Sequence, residues 1–446
     1  MNVGTRLRAG LLGAFLVAVG LPASAATGDL PDLGPNVTVG RLPVGGTVIV
    51  RPARGAPVAA IELWYRAPST GFAAKPSLGI ARLAAQMVAA SKPIVGEPLG
   101  RTVSDAGGRL EITVYGDSVA ISAVVPAGSA RAIIKVMTTA YFAPVATDDG
   151  FQEARREVEQ EAQISSFDPE TVARDAVFAQ LFSAGPQHFP ALGAPKDISE
   201  ISLADARAFA ERAFRSQNAT LVVSGAVDPA VADAAVGGRS DADAAPEPPA
   251  APEIASALTP VTKNFAENVG GYGWIGPGIA DAREATAMDF IADYLFRVDE
   301  GYVTRQVAEK YPDALLLGQF ITLHDPGVMF VVYSGKDDMP ALRALVDDGF
   351  AQIQKPIDAA TFASRLEQFK YHLLSDLQTP TEMADNFGWY TVEGAPDYAP
   401  GANGDAGSYF RAADSLTPEF VAAVARKYFA TAPATITLRP PPKAKP

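Results

Sequence analysis

The chain is written twice, and that constrains its fold more than any single motif. Ser202-Leu-Ala-Asp opens a helical pattern running through Phe209 and Phe214, and the apolar strand Asn218-Ala-Thr-Leu-Val-Val-Ser-Gly225 follows it. Some 213 residues later Ser415-Leu-Thr-Pro opens a second helix through Phe420, Val424 and Tyr428, followed by the strand Ala434-Thr-Ile-Thr-Leu438. In both copies serine is a natural N-cap, and Asp205 or Glu419 in the first turn suits the helix dipole. Repetition at a fixed offset marks two copies of one structural unit.

Other elements recur at about the same offset. The apolar strand Val58–Arg66 precedes a helix predicted over Leu78–Ala90; Gly271–Ile275 precedes one over Asp281–Val298, with Ala287, Ile291, Tyr294 and Leu295 on its apolar face. Val119–Val125 leads into a helix at Ser129–Phe142, as Val328–Tyr333 leads into one at Pro340–Ile353. Gly116 and Asp117 make a hairpin turn between Leu110–Tyr115 and Val119–Val125. Between the copies, residues 237–255 are rich in Pro, Ala and acid and read as a solvated linker. Paired strands and long helices without regular alternation argue an α+β fold. The expected organisation is two homologous α/β sandwich halves of about 200 residues, 26–236 and 256–446, in a clam-shell.

Composition removes several function classes. The chain has no cysteine, which closes thiol-redox and zinc-finger chemistry, and its three histidines are far apart. A formal net charge of −13 repels nucleic acid and anionic membrane surfaces. Residues 1–25 read as an export signal: Arg6 and Arg8, an apolar run from Leu11 to Gly20, then Ala23-Ser-Ala25 as a cleavage site. Cleavage there leaves −15, no lipid-anchoring cysteine and no expected membrane span; a bacterial periplasm is the expected destination.

Particular runs carry a family likeness. They are Val58–Arg66, Gly79-Ile-Ala-Arg-Leu-Ala-Ala-Gln-Met87, the acidic helix Glu153–Glu161, and Gln187-His-Phe-Pro-Ala-Leu-Gly-Ala-Pro195 continuing through Asn218 to Gly225-Ala-Val-Asp-Pro229. In this order the chain resembles the insulinase/pitrilysin-like peptidases, a family that includes mitochondrial processing peptidase and the respiratory core proteins. The resemblance implies a peptide chamber and, in active members, an inverted zinc motif H-x-x-E-H on the first long helix. Two histidines at i and i+4 share a zinc ion, the glutamate polarises water, and a later glutamate completes the site.

Carried over, those positions fall on Arg82, Ala85 and Gln86, and the later glutamate on Arg155, with Glu153 and Glu157 alongside. Arginine offers no lone pair, alanine is no base, and glutamine is a poor ligand. No catalytic or metal-binding residue is expected, and zinc only in a partner subunit. Arg82 could hold a peptide carboxylate or pair with an acid of the 153–161 helix, the pair being preferred because a buried cation needs a partner. Zinc-free subunits of two-component members also clamp peptide with an arginine and a tyrosine; those positions hold Tyr302 and Leu315 here, with Arg305 and Tyr311 near enough to substitute.

The remaining candidates carry structural readings. Glu153–Glu161 reads as a solvated helix with its own side-chain pairs. His188 reads as structural, His324 as exposed, and His372 as a satisfied helix residue. Asp385-Asn-Phe-Gly-Trp-Tyr390 reads as a packing face against the inner wall. Three functions remain: an inactive subunit paired with a zinc-bearing homologue, a free-standing peptide-binding or assembly protein, and a zinc metalloendopeptidase with displaced ligands.

Overall fold

Residues 33–441 of the computed structural model are described, apart from 35, 43–44, 54, 231, 233–235, 238–245, 336–338, 400–401 and 403–407. The predicted export signal and the middle of the linker therefore lie outside the described residues.

The first half runs β1 Thr38–Arg41, β2 Thr47–Pro52, β3 Val58–Arg66, α1 Ile80–Ala90, α2 Leu99–Asp105, β4 Arg109–Val114, β5 Ser118–Pro126, α3 Ala130–Phe142, α4 Asp148–Ser165, α5 Pro169–Leu181, β6 Phe182–Ala184, α6 Pro195–Glu200, α7 Leu203–Ala213 and β7 Ala219–Gly225. The second runs β8 Glu253–Ile254, β9 Val261–Asn264, β10 Val269–Ile275, α8 Ala282–Phe296, α9 Tyr302–Lys310, β11 Leu315–Ile321, β12 Val328–Ser334, α10 Met339–Ile353, α11 Ala359–Ser375, α12 Pro380–Val392, α13 Ser408–Asp414, α14 Pro418–Phe429 and β13 Ala434–Arg439.

The repeat holds down to strand order. The first sheet runs β1-β2-β7-β3-β5-β4 and the second β9-β13-β10-β12-β11. In each the central strand (β3 or β10) is antiparallel to both neighbours, and the strand beyond (β2 or β9) pairs parallel with the last strand of its half. The fold is α+β, as the paired strands and long helices imply.

Three expectations change in detail. Ser202 caps α7 in a capping box with Asp205, but in the second copy Thr417 is the cap, accepting from the Phe420 N–H at 3.2 Å. Pro418 explains the shift, because proline fits the first helical position and needs no N–H partner there. The short helix α2 carries too weak an apolar period to show in the sequence. The linker does not stay free to its end: Glu253–Ile254 pairs antiparallel with β6 of the first half.

The halves exchange covers. Helix α12, from the second half, lies on β3 and β7 of the first sheet, while α5, from the first half, lies on β10 and β13 of the second. Both contacts need glycine. A Cβ on Gly388 of α12 would meet Trp64 Nε1 at 2.0 Å, and one on Gly273 of β10 would meet Val177 of α5 at 2.2 Å. One core cluster accordingly joins Ile49, Ala60, Trp64 and Val222 to Tyr272, Phe330, Phe387 and Tyr390. Side chains of this size contribute roughly 2–3 kcal/mol each when buried, so the clam-shell is held shut by a solid interior. Asp385–Tyr390 is part of it: Trp389 stands edge-on to Trp64 and Tyr115, at 6.3 and 4.7 Å between ring centroids.

Candidate functional site

Helix α1 is nearly all core. Ile80, Ala81, Leu83, Ala84, Ala85, Met87 and Val88 are buried, which leaves Arg82 and Gln86, one turn apart, on the single face not sealed. That face looks onto α4, whose Phe151, Ala154, Val158 and Ala162 form the matching apolar stripe. Arg82 Nη2 reaches Glu161 Oε2 at 2.8 Å and Nε reaches Oε1 at 3.4 Å. Its Nη1 donates to Gln86 Oε1 at 2.8 Å, and Gln86 Nε2 donates in turn to Glu157. Glu161, Arg82, Gln86 and Glu157 thus form one polar chain between the two helices. Arg82 has the internal partner that its burial requires.

Ala85 is sealed in the core, and its carbonyl accepts the Tyr141 hydroxyl at 2.9 Å. Burial pushes that phenol far above its ordinary range, with Arg82 opposing. Arg155 is not part of the arrangement. Its guanidinium donates to the Ile201 carbonyl and lies 4.5 Å from the Phe151 ring centre. Two residues along a helix turn a side chain by about 200°, so Glu157 and Glu161 face α1 and Arg155 faces away. The acids of α4 do pair, across to α1 rather than within their own helix.

A cavity of about 520 Å³ opens beside this network, lined by Arg82, Gln86, Ser104, Arg109, Glu157 and Glu161 among others. It runs to β4, the outermost strand of its sheet. A second cavity, also about 520 Å³, borders the same strand start at Gly108 and Arg109, with Val58, Val124 and Thr381 in its wall. Open space thus borders an edge strand, and such an edge can take an added extended chain.

The residues present do not fit zinc. Arg82 offers no lone pair, Ala85 supplies no base, and the Glu157 and Glu161 carboxylates are already engaged. Among the described residues no group of three His, Asp or Glu is placed to hold a metal ion. His188 Nδ1 is tied to the Phe182 carbonyl at 2.6 Å, a structural bond. His324 is half-buried rather than exposed, because its Nδ1 contacts the Glu393 carbonyl at 2.9 Å. His372 is buried on α11, with Nδ1 2.9 Å from Asp293 Oδ2 and Nε2 3.3 Å from Glu300 Oε2. The Asp293 hydrogen bond raises its pKa against the pull of burial. Helices α8 and α11 stand where α1 and α4 stand in the first half, so the same helix pair is polar-tied in both copies.

Tyr302, Arg305 and Tyr311 lie elsewhere. Tyr302 stacks on Tyr294 at 6.2 Å and 8°, and its hydroxyl is 3.4 Å from Asp348. Arg305 is exposed on α9, and Tyr311 is half-buried against the second-half core. Their neighbours belong to the second half, whereas the Arg82 network belongs wholly to the first.

The geometry matches solved peptidase structures. A protease from Helicobacter pylori superposes with a TM-score of 0.78 at 17% identity, covering 91% of this chain and 100% of that one. The fold is that of the M16-like peptidases. The peptidase M16 inactive domain from Pseudomonas fluorescens gives 0.72 at 18% identity over 92% of this chain and 100% of its own. A chain of Complex III2 from Candida albicans gives 0.73 at 13% identity, covering 90% and 96%. No protein-family model and no curated protein matches the chain. No described helix is long and apolar enough to cross a membrane.

Proposed function

We propose that this chain is an exported, catalytically inactive M16-type protein that pairs with a zinc-bearing homologue and helps it bind peptides. One observation carries the reading: the polar chain Glu161–Arg82–Gln86–Glu157 fills the helix face where an active member would hold its metal. The likeness to an inactive M16 domain supports the loss of chemistry. The likeness to a chain of a larger assembly supports a partner. Zinc in this scheme belongs to the partner, and the two subunits act in the periplasm.

Edge strand β4 and its flanking cavities favour peptide as the ligand, whether or not a partner is present. That same observation supports the second reading, a free-standing peptide-binding or assembly protein. Peptide cleavage measured for this protein, for a zinc-bearing homologue from the same organism, and for the mixture separates the readings. Activity that rises only in the mixture, with co-migration at micromolar concentration, is the expected result. Separate migration with peptide binding by this chain alone selects the second reading. Stoichiometric zinc and turnover by this chain alone overturns both.

A further inference from the structure

Two pairs of carboxyl groups face each other across the seam between the halves, one at the middle of the inserted helix α12 and one just past its C-terminal end. Glu62, in the middle of β3, is wholly buried. Trp64 Nε1 donates to its Oε2 at 2.7 Å and Ser122 Oγ to its Oε1 at 3.0 Å. The Asp385 carboxyl of α12 comes within hydrogen-bonding reach of it. Two carboxyl groups at that range cannot both be bare; one must carry a proton and donate it to the other. The Tyr115 ring lies close to both acids, and Glu111 of β4 and Arg174 of α5 act on it from further out.

The second pair lies roughly 12 Å along the helix, eight residues on. Glu393, just past the end of α12, is 2% exposed. Asp117, in the turn between β4 and β5, is near enough to raise its pKa, while Arg66 of β3 acts on both in the opposite sense. Gln187 donates to Asp117 Oδ2 at 3.2 Å, and His324 contacts the Glu393 carbonyl and also acts on Asp117. Asp117 Oδ1 and Glu393 Oε2 are both buried with no hydrogen-bond partner, a setting in which a second negative charge is costly and one of the two acids favours its neutral form.

We propose that these two pairs are a proton-operated lock on the closed form. With a proton in each pair, α12 lies on the first sheet; when the protons leave, like charges face each other in the seam and α12 opens more often. Burial first, and Asp385 second, hold Glu62 well above the ordinary carboxylate range. Burial, then Asp117, does the same for Glu393. The closed state therefore binds more protons than the open one. Closure is full below the ordinary carboxylate pKa and weakens as pH rises through the raised values, by about tenfold in the opening constant per pH unit for each pair.

The test follows hydrogen exchange of residues 380–393 in the full chain from pH 5 to 9, corrected for intrinsic exchange, together with tryptophan emission. Trp64 and Trp389 sit in the seam and report its hydration. Protection of α12 should fall by about tenfold per pH unit or more as the locks discharge, with a red shift in emission, while α7 stays protected. In Asp385→Asn the amide donates to Glu62 without a titrating proton, so the dependence should shrink. Adding Glu393→Gln should flatten it. Constant α12 protection to pH 9 in the unaltered protein overturns the proposal without any variant having to fold. So does a wild-type profile in the doubly substituted chain.

Discussion

Replacing Arg82 by alanine tests the polar chain between α1 and α4 most directly. The substitution removes a two-point contact with Glu161, at 2.8 and 3.4 Å, and the donor to Gln86 Oε1 at 2.8 Å. The Arg82 side chain is only 13% exposed, so the pair is weakly screened, but the carboxylate left behind, Glu161, is 41% exposed and water will take it back. That places the cost between the 3–5 kcal/mol of breaking a fully buried pair and the 0–1 kcal/mol of a surface one, at about 2 kcal/mol. At roughly 1–2 °C per kcal/mol for a cooperative unit of about 400 residues, thermal unfolding at pH 7 should drop by about 2–4 °C. A double-mutant cycle with Glu161→Ala should return a coupling of about 1 kcal/mol, shrinking as salt shortens the Debye length from about 10 Å to about 3 Å. An unchanged melting temperature with zero coupling would refute the argument. Lost peptide binding in such a variant would then make Arg82 a ligand-holding residue.

Other expectations bear on separate parts of the molecule. Gly388→Ala drives a methyl to 2.0 Å from Trp64 Nε1, so it should cost about 3 kcal/mol and change Trp64 emission; full stability would contradict the close approach of α12. The His372 imidazole, followed by NMR, should titrate above its ordinary value near 6.5, and Asp293→Asn should bring it down. Because that pKa is raised on folding, its stabilising contribution is complete below about pH 6.5 and disappears as pH rises through the raised value; His372→Gln should remove that part of the profile. Installing Arg82→His and Gln86→His together frees Glu157 and Glu161 and should create a site binding one zinc at about 1 μM or tighter by calorimetry. No binding would mean that α1 and α4 are not spaced as the zinc helices of the peptidases are.

Much of the scaffold was legible in sequence because each copy repeats the same strand-then-helix grammar. β3, β5, α3, β10, β12 and α10 fall within a few residues of their expected ends. The helices at 80–90 and 282–296 were legible from their apolar faces. What the pattern does not encode is which sheet a helix covers, so the exchange of α5 and α12 was invisible. Gly271 and Gly273 within an apolar strand, and Gly388 among aromatics, were the available signals of close backbone approach. In the site, Arg82, Ala85 and Gln86 were readable from a single helix. Arg82's partner was legible as an acid of the 153–161 helix, and the four-residue step through Glu157 and Glu161 was there to narrow it to one face. The carboxyl pairs depend on contacts across more than 250 residues and could not be read locally.

The exchange of α5 and α12 also fixes an order of events at the ribosome. β3 is complete at Arg66, yet the helix that covers it does not end until Val392. At about 5–20 residues per second, the inner face of the first sheet waits roughly 15–60 s for its cover. Through that interval Trp64 faces solvent or a chaperone, and the first copy cannot be finished before the second is made. Two copies in sequence thus yield one molecule in time, closed by a helix from near the end of synthesis.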